Sequence, residues 1–471
     1  ALAGLSEVGR EKFGVFPLKG KLMNVKDASL KKIAENDEIS NIKKILGLES
    51  GKEYTDTQSL RYGKIMLMTD SDCDGTHIKG LIFNLFHSLW PSLLKIDENF
   101  LISMLTPIIK ARKGNQQQSF YNMTSYENWK KALPEGELKS WKIKYYKGLG
   151  TSTNQEAKEY FKEMKTMKYD FKDDSPLDLA FNKKKTNERK TWLGCYDRQN
   201  ILDYDCKNVS CKDFINKDFI HFSNYDVERS IPNIADGLKI SQRKILYTCL
   251  GRNLYKEELR VSQLAGYVSV DSAYHHGEAS LQAAIVGLAQ DFVGSNNINL
   301  LLPNGQFGSR VHGGKDAGQP RYIHTQLSPV VAKLFVKADA AVLDYVEDDG
   351  IVVEPYFYVP IIPMVLVNGA CGIGTGFSTN IPCYNPTELI DELLHMIDND
   401  GHSSHKQLHP FYKGFKGKIA ELEKGKYASI GCWKQINNTI IKITELPIGT
   451  WTVDYKEDLE ALLDKIPSFK K

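Results

Sequence analysis

Residues 64–80 read KIMLMTDSDCDGTHIKG, and this stretch decides the fold. KIMLMT is short and apolar and ends in carboxylates. It runs into HIKGLIFNLFHSLW, whose apolar residues recur at helical spacing, so the segment predicts strand, acidic loop and helix in an α/β domain. Asp70, Asp72 and Asp74 stand at i, i+2 and i+4. Carboxylates so crowded repel one another unless a hard divalent cation sits among them, and Mg²⁺, which prefers oxygen ligands and keeps several waters, is the natural occupant. The bland alternative is a solvated turn at the end of a strand.

Two other chemistries share parts of this pattern. A calcium-binding EF-hand begins DxDxDG, but it needs a bidentate Glu at loop position twelve, where Leu81 stands. It also needs an apolar eighth residue, where His77 stands, and a preceding helix rather than a strand. Phosphatases of the haloacid-dehalogenase kind also place an apolar strand before DxDGT and phosphorylate the first Asp, here Asp72. Asp348 and Asp349 would supply that enzyme's distal acidic pair. These segments alone leave the phosphatase open.

Working outward, 471 residues exceed what one hydrophobic core supports, so several domains are expected. A second apolar run, 99–109 (NFLISMLTPII), predicts another strand, and the first domain is placed at 1–135. Residues 136–212 are rich in Lys, Asp and Asn and read as a charged, partly helical connector. From 213 to 340 the pattern is helical, with ISQRKILYTCLGRN and GEASLQAAIVGLAQDFVG followed by a Gly-rich stretch. From 341 to 471 it turns to β-branched, Pro-punctuated runs such as GIVVEPYFYVPIIPMVLVNG, predicting a mainly β domain.

Composition constrains the function less. With 42% hydrophobic and 25% charged residues the chain has the composition of a soluble globular protein. No stretch approaches the roughly 20 apolar residues that cross a bilayer, so no membrane role is expected. The beginning lacks both an initiating Met and the pattern of a signal peptide, and both ends look cut. Eight scattered cysteines form no CxxC pair and predict reduced thiols. A net charge of +3 neither demands nor excludes nucleic acid. The glycine strings GLGTS and GACGIGTG lack the spacing of a nucleotide-binding loop.

Taken together, GVFPLKGKLMNV, LRYGKIMLMTDSDCDGTHIKGL, KYYKGLGTS, FSNYDVERSIPNIADGLK, YHHGE, GQFGSRVHGGKDAGQPRY and PIIPMVLVNGACGIGTGF resemble the DNA-cleaving core of eukaryotic type II DNA topoisomerases. The strings occur in that family's order and cover essentially the whole chain. The resemblance implies a multidomain α/β and α+β chain: a toprim-type α/β domain holding Asp70, Asp72 and Asp74, a winged-helix domain carrying Tyr322, and a tower domain. Among 23 tyrosines only the family motif singles out Tyr322 as the nucleophile. It implies that Arg321, Arg229, His276 and Lys147 assist at the scissile phosphate, and that Lys21, Asn24, Lys183, Lys184, Lys239 and Tyr274 contact the DNA backbone. Ile373 matches an apolar wedge that enters a base step and bends the duplex.

The same resemblance carries further expectations. They are a homodimer acting on double-stranded DNA with Mg²⁺, a nuclear location, and a cleavage site open to topoisomerase-poison drugs. ATP would be used only by a domain preceding this region, and the family's metal-site glutamate also lies upstream. KISQRK stands where the family usually has Pro-Gly after the Lys, which predicts a looser helix start near the DNA. The rivals are the phosphatase and a DNA-bending scaffold without chemistry.

Overall fold

The computed structural model describes residues 2–96, 100–134, 136–146, 148–348, 350–404 and 406–465. The chain divides into two compact units, one of residues 1–227 with 375–377 and one of 228–374 with 378–471.

The first unit is built on a four-stranded sheet. Ile65–Leu67 pairs in parallel with Leu101–Met104, which pairs antiparallel with Thr166–Asp170, which pairs in parallel with Asn208–Ser210. The predicted strand, acidic loop and helix are present as Ile65–Leu67 followed by the helix Cys73–Leu89. That helix buries Leu81, Ile82, Phe83, Leu85 and Phe86 against Phe100, Met167, Tyr169 and Phe214. The Phe83 ring meets the edge of Phe214 at a centroid separation of 4.9 Å. Burial of several large aromatics here makes this core the rigid platform for the acidic loop.

Two expectations are corrected. The run 99–109 is not one strand: Leu101–Met104 joins the main sheet, while Ile109–Lys113 starts a separate three-stranded sheet with Gln116–Phe120 and Lys142–Tyr145. Pro107 lies between them, and proline cannot donate to a ladder. Residues 136–212 are not a connector, because two of the main sheet's strands, Thr166–Asp170 and Asn208–Ser210, come from them. Met167 and Tyr169 are buried where the intervening Lys168 is exposed, so a short polar-looking segment still carries the two-residue period of a strand. The first unit therefore runs on to residue 227, past the expected boundaries at 135 and 212.

The second unit packs three helices, Ile240–Gly251, Val261–Asp271 and Glu278–Ala289, around Ile245, Leu246, Leu264, Leu281, Ile285 and Leu327. The two-residue strands Leu259–Arg260 and His324–Thr325 pair beside them. Antiparallel hairpins dominate the remainder of this unit: 345–355, 370–381, 418–430 and 432–445, with the helix Pro386–Asp398 between the second and third. This agrees with the mainly β composition expected after 341. All eight cysteines are free thiols. Among the described residues no helix is long and apolar enough to cross a membrane.

A charged pair that the hydrophobic pattern does not reveal lies under the loop before Lys239. Arg243 Nε donates to Asp236 Oδ2 at 2.7 Å, and its Nη2 reaches Asp236 Oδ1 at 3.1 Å and the Leu238 carbonyl at 2.9 Å. The Tyr358 N–H also donates to Asp236, at 3.0 Å. Asp236 is fully buried and Arg243 nearly so. Asp236→Asn leaves a buried guanidinium without its counter-charge, a change that costs about 3–5 kcal/mol. The expected outcome is an earlier urea-unfolding transition for this unit, and an unmoved transition would mean the pair adds nothing to stability.

Candidate active site

The acidic loop takes its shape from two close approaches. Asp72 caps the helix Cys73–Leu89, its Oδ1 accepting the Gly75 N–H at 2.7 Å. A Cβ at Gly75 would lie 1.9 Å from the Asp70 carbonyl oxygen, so only glycine lets the chain turn here. Gly148, from KGLG, brings its backbone against the Asp70 carboxylate, where a Cβ would sit 2.9 Å from Oδ1. Asp70 and Asp72 are exposed at the start of the helix, whose dipole favours negative charge there. Asp74 is bound differently, in a short ion pair with Lys21.

The three aspartates therefore do not converge, and among the described residues no group of three or more His, Cys, Asp or Glu side chains is gathered as a metal site. The reason lies in the helix: Asp72 precedes its first turn and Asp74 lies within it, so their side chains leave on different sides.

The KGLGTS loop is held by its own network. Thr153 and Glu156 form a reciprocal cap on the helix Asn154–Glu163. Glu156 also accepts from Lys144 at 2.8 Å and Tyr146 at 2.6 Å. Burial raises the Glu156 carboxyl, but these hydrogen bonds outweigh it and hold its pKa at about 2. Lys147 itself lies outside the described residues.

Other expected DNA contacts in the first unit differ in availability. Lys183 and Lys184 are exposed in a short 3₁₀ turn. Asn24 is engaged by the protein, donating to the Phe181 carbonyl and accepting from Asn84 Nδ2, both at 2.9 Å. Its side chain orders the loop rather than presenting a free amide.

In the second unit Tyr322 projects its ring into solvent, 67% exposed, while the next residue, Ile323, is buried. The flanking backbone is pinned to the start of the helix Val261–Asp271: the Val261 N–H donates to the Ile323 carbonyl and the Ser262 N–H to the Pro320 carbonyl, each at 3.0 Å. The Arg321 guanidinium lies 4.9 Å from the Tyr322 ring centre. The glycine-rich loop before them is closed by Ser309, whose N–H and hydroxyl bind Asp316 at 2.8 and 2.7 Å. The Ser309 hydroxyl and N–H hold the Asp316 carboxyl below its usual range.

YHHGE follows a strained residue, Ala273, at φ 48°. His276 is exposed, with its ring 5.5 Å edge-on from Tyr274. Burial raises the Tyr274 phenol, and the charge of Arg229 opposes that shift, which places Arg229 within electrostatic reach of this loop. Neighbouring His275 instead faces Asp348, at 3.0 Å. Lys239 stands at the start of the helix Ile240–Gly251, and its N–H donates to Gln242 Oε1 at 2.9 Å. The helix start expected to be loose without Pro-Gly is thus capped from within. Ile373 is 80% exposed next to the turn of the hairpin Ala370–Ile373 with Ser378–Ile381.

Comparison with known proteins matches three families in succession: Toprim domain over residues 1–100, C-terminal associated domain of TOPRIM over 104–227, and DNA gyrase/topoisomerase IV over 229–470. The chain belongs to the type II DNA topoisomerase family. It is 52% identical to DNA topoisomerase 2 of Arabidopsis thaliana over 98% of its own length and 32% of that protein's. It is 51% identical to human DNA topoisomerase 2-beta over 99% of its length and 30% of that protein's. The crystal structure of the Plasmodium falciparum topoisomerase II DNA-binding, cleavage and re-ligation domain superposes with a TM-score of 0.80 at 49% identity, covering 99% of this chain and 64% of that one. The chain thus spans about a third of the length of its curated topoisomerase relatives. The second family match ends at 227, where the two compact units divide. The phosphatase and scaffold readings find no support among these matches. Asp72 and Asp348 fall in different units, and Asp349 lies outside the described residues.

Proposed function

We propose that this chain is the core that cuts and reseals double-stranded DNA in a homodimeric, nuclear type II topoisomerase, with Tyr322 as nucleophile. The observation that carries the proposal is an exposed tyrosine, flanked by an exposed arginine, on backbone pinned at both sides. Tyr322 Oη attacks the scissile phosphorus as the phenol gives up its proton. The P–O3′ bond breaks, the 3′ oxygen takes a proton, and a 5′-phosphotyrosyl bond remains. The reverse step reseals the strand without a nucleotide, because the phosphodiester energy is kept in the new bond.

A phenol with a pKa near 10 attacks poorly unless the phosphate's growing charge is met. Arg321 and Arg229 carry planar, permanently charged groups suited to that task, and His276 lies beside them on an exposed loop. Lys183, Lys184, Lys239 and Tyr274 supply backbone contacts that carry no sequence information. Ile373 supplies an exposed wedge of the kind that props open a base step. An opened base step next to Tyr322 is also where drugs that poison resealing would lodge. Linkage to ATP-driven duplex passage is part of the proposal for the longer enzyme.

The residues at the acidic loop fit a hard divalent cation. Asp70 and Asp72 present carboxylate oxygens, and the glycines at 75 and 148 leave room that a Cβ would fill. Bound there, Mg²⁺ would supply Lewis-acid stabilisation of charge on the leaving oxygen. Asp70 and Asp72 are its proposed holders, with Asp74 keyed to Lys21.

The test uses a protein spanning the full length of its relatives. End-labelled duplex is incubated with Mg²⁺ and quenched with detergent, and protein should be found on the 5′ ends, with none after EDTA. Attachment to 3′ ends, or attachment that survives EDTA, would refute the proposal.

A further inference from the structure

Behind the acidic loop lies a buried polar cluster that the proposed cleavage chemistry does not use. Thr76, Lys79 and Asp218 are each more than nine-tenths buried. The Thr76 hydroxyl donates to Asp218 Oδ1 at 3.1 Å, the Tyr204 hydroxyl donates to the same oxygen at 3.1 Å, and Lys79 Nζ reaches Oδ2 at 3.4 Å. Thr76 belongs to the first turn of the helix that Asp72 caps, and its N–H donates to the Asp72 carbonyl at 3.1 Å. Asp218 sits in a π-helical turn, Ile215–Phe219, a wider winding that recurs at functional sites. A cavity of about 20 Å³, enough for a single water, is lined by Asp70, Ser71, Thr76, Lys79 and Tyr204, so the cluster adjoins the acidic loop directly.

Stability does not explain such a cluster. A buried ion pair contributes no more than well-packed apolar residues of the same volume, and often less. What it does provide is a single allowed geometry, since each polar atom must find its partner. Lys79 keeps its charge: burial opposes the ammonium, but Asp218 outweighs that and lifts its pKa above the ordinary lysine value. Tyr204 stays protonated as a donor, because burial and then the Asp218 charge raise its phenol well above its usual range. Asp218 is therefore a fixed acceptor with three fixed donors, one of which is the helix turn that sets where Asp72 points.

We propose that Asp218, held by Lys79 and Tyr204, is a positioning residue for the cation site: through the Thr76 hydroxyl it sets the register of the turn that carries Asp70 and Asp72. This rests on the reading of those two aspartates as the cation's ligands. Groups that orient metal ligands from behind typically change metal affinity by 10- to 100-fold when removed.

The test is Mn²⁺ binding, followed by electron paramagnetic resonance, in a protein spanning the full length of its relatives. Thr76→Val, which removes only the hydroxyl, is expected to weaken Mn²⁺ binding about tenfold. Thr76→Ser, which keeps the hydroxyl, is expected to bind within about twofold of wild type, and DNA affinity without divalent cation is expected to stay unchanged in both. Asp218→Asn alone strands the buried Lys79 charge and endangers folding, so the second variant is Lys79→Met with Asp218→Leu. It removes both charges and should show the same tenfold loss. Wild-type Mn²⁺ affinity in Thr76→Val or in the charge-free double variant would overturn the proposal, as would a Thr76→Ser protein as weak as Thr76→Val. If wild type binds Mn²⁺ no better than an Asp70→Ala, Asp72→Ala protein, the cation reading itself falls and takes this inference with it.

Discussion

Tyr322→Phe will bind duplex DNA as wild type does and will leave no protein on the DNA ends after detergent. The change removes one oxygen from a side chain that is two-thirds exposed and whose neighbour Ile323, not Tyr322 itself, anchors the segment in the core, so folding is untouched. Removing a covalent nucleophile while the rest of a site stands typically costs a factor of roughly 10⁴–10⁶ in rate, which in a cleavage assay is complete loss. Affinity rests on many phosphate contacts, so losing one phenol changes it little. Wild-type adduct levels in Tyr322→Phe would mean that another tyrosine attacks. Loss of DNA binding together with cleavage would mean that the ring is a structural element rather than the nucleophile.

The reactive residues were legible because they sit in long strings whose chemistry shows at the level of residue type: a crowded acidic turn, a Tyr after an Arg, paired histidines before a Gly. Their surroundings were legible only in part. The glycine at 75 reads as a turn residue from sequence, but that it must avoid the Asp70 carbonyl is a fact of three dimensions. Residues 166–170 and 208–210 look like polar linker because each is short and half of each faces away from the core, so charge composition hid their place in the main sheet. The boundary near 212 failed for a related reason: residues 211–227 have helical spacing continuous with the helices after them, yet Cys211, Phe214, Ile215 and Phe219 belong to the first unit's core. Buried charges were the least legible of all. Lys79 and Asp218 stand more than a hundred residues apart on otherwise apolar faces, and only packing reveals that each exists to satisfy the other.

The same distinction between what touches the reacting phosphate and what supports it sets the expectation for Arg321. Its guanidinium lies over the neighbouring Tyr322 ring and is exposed. A cation over an aromatic face in water is held by only about 0.5–1 kcal/mol, so Arg321 is free to turn to a phosphate when DNA arrives. A preorganised cation or hydrogen-bond donor at a phosphoryl centre contributes roughly 10²–10³ in rate. Arg321→Ala is therefore expected to slow formation of the covalent adduct by about that factor while lowering the slope of log affinity against log salt by only about one, the signature of a single lost phosphate contact. Arg321→Lys keeps the charge but loses the planar fork, and should recover part of the binding and little of the rate. Parallel losses of rate and affinity in Arg321→Ala would reduce Arg321 to an ordinary backbone contact. A cleavage rate within about threefold of wild type would instead leave Arg229 and His276 as the groups that meet the charge.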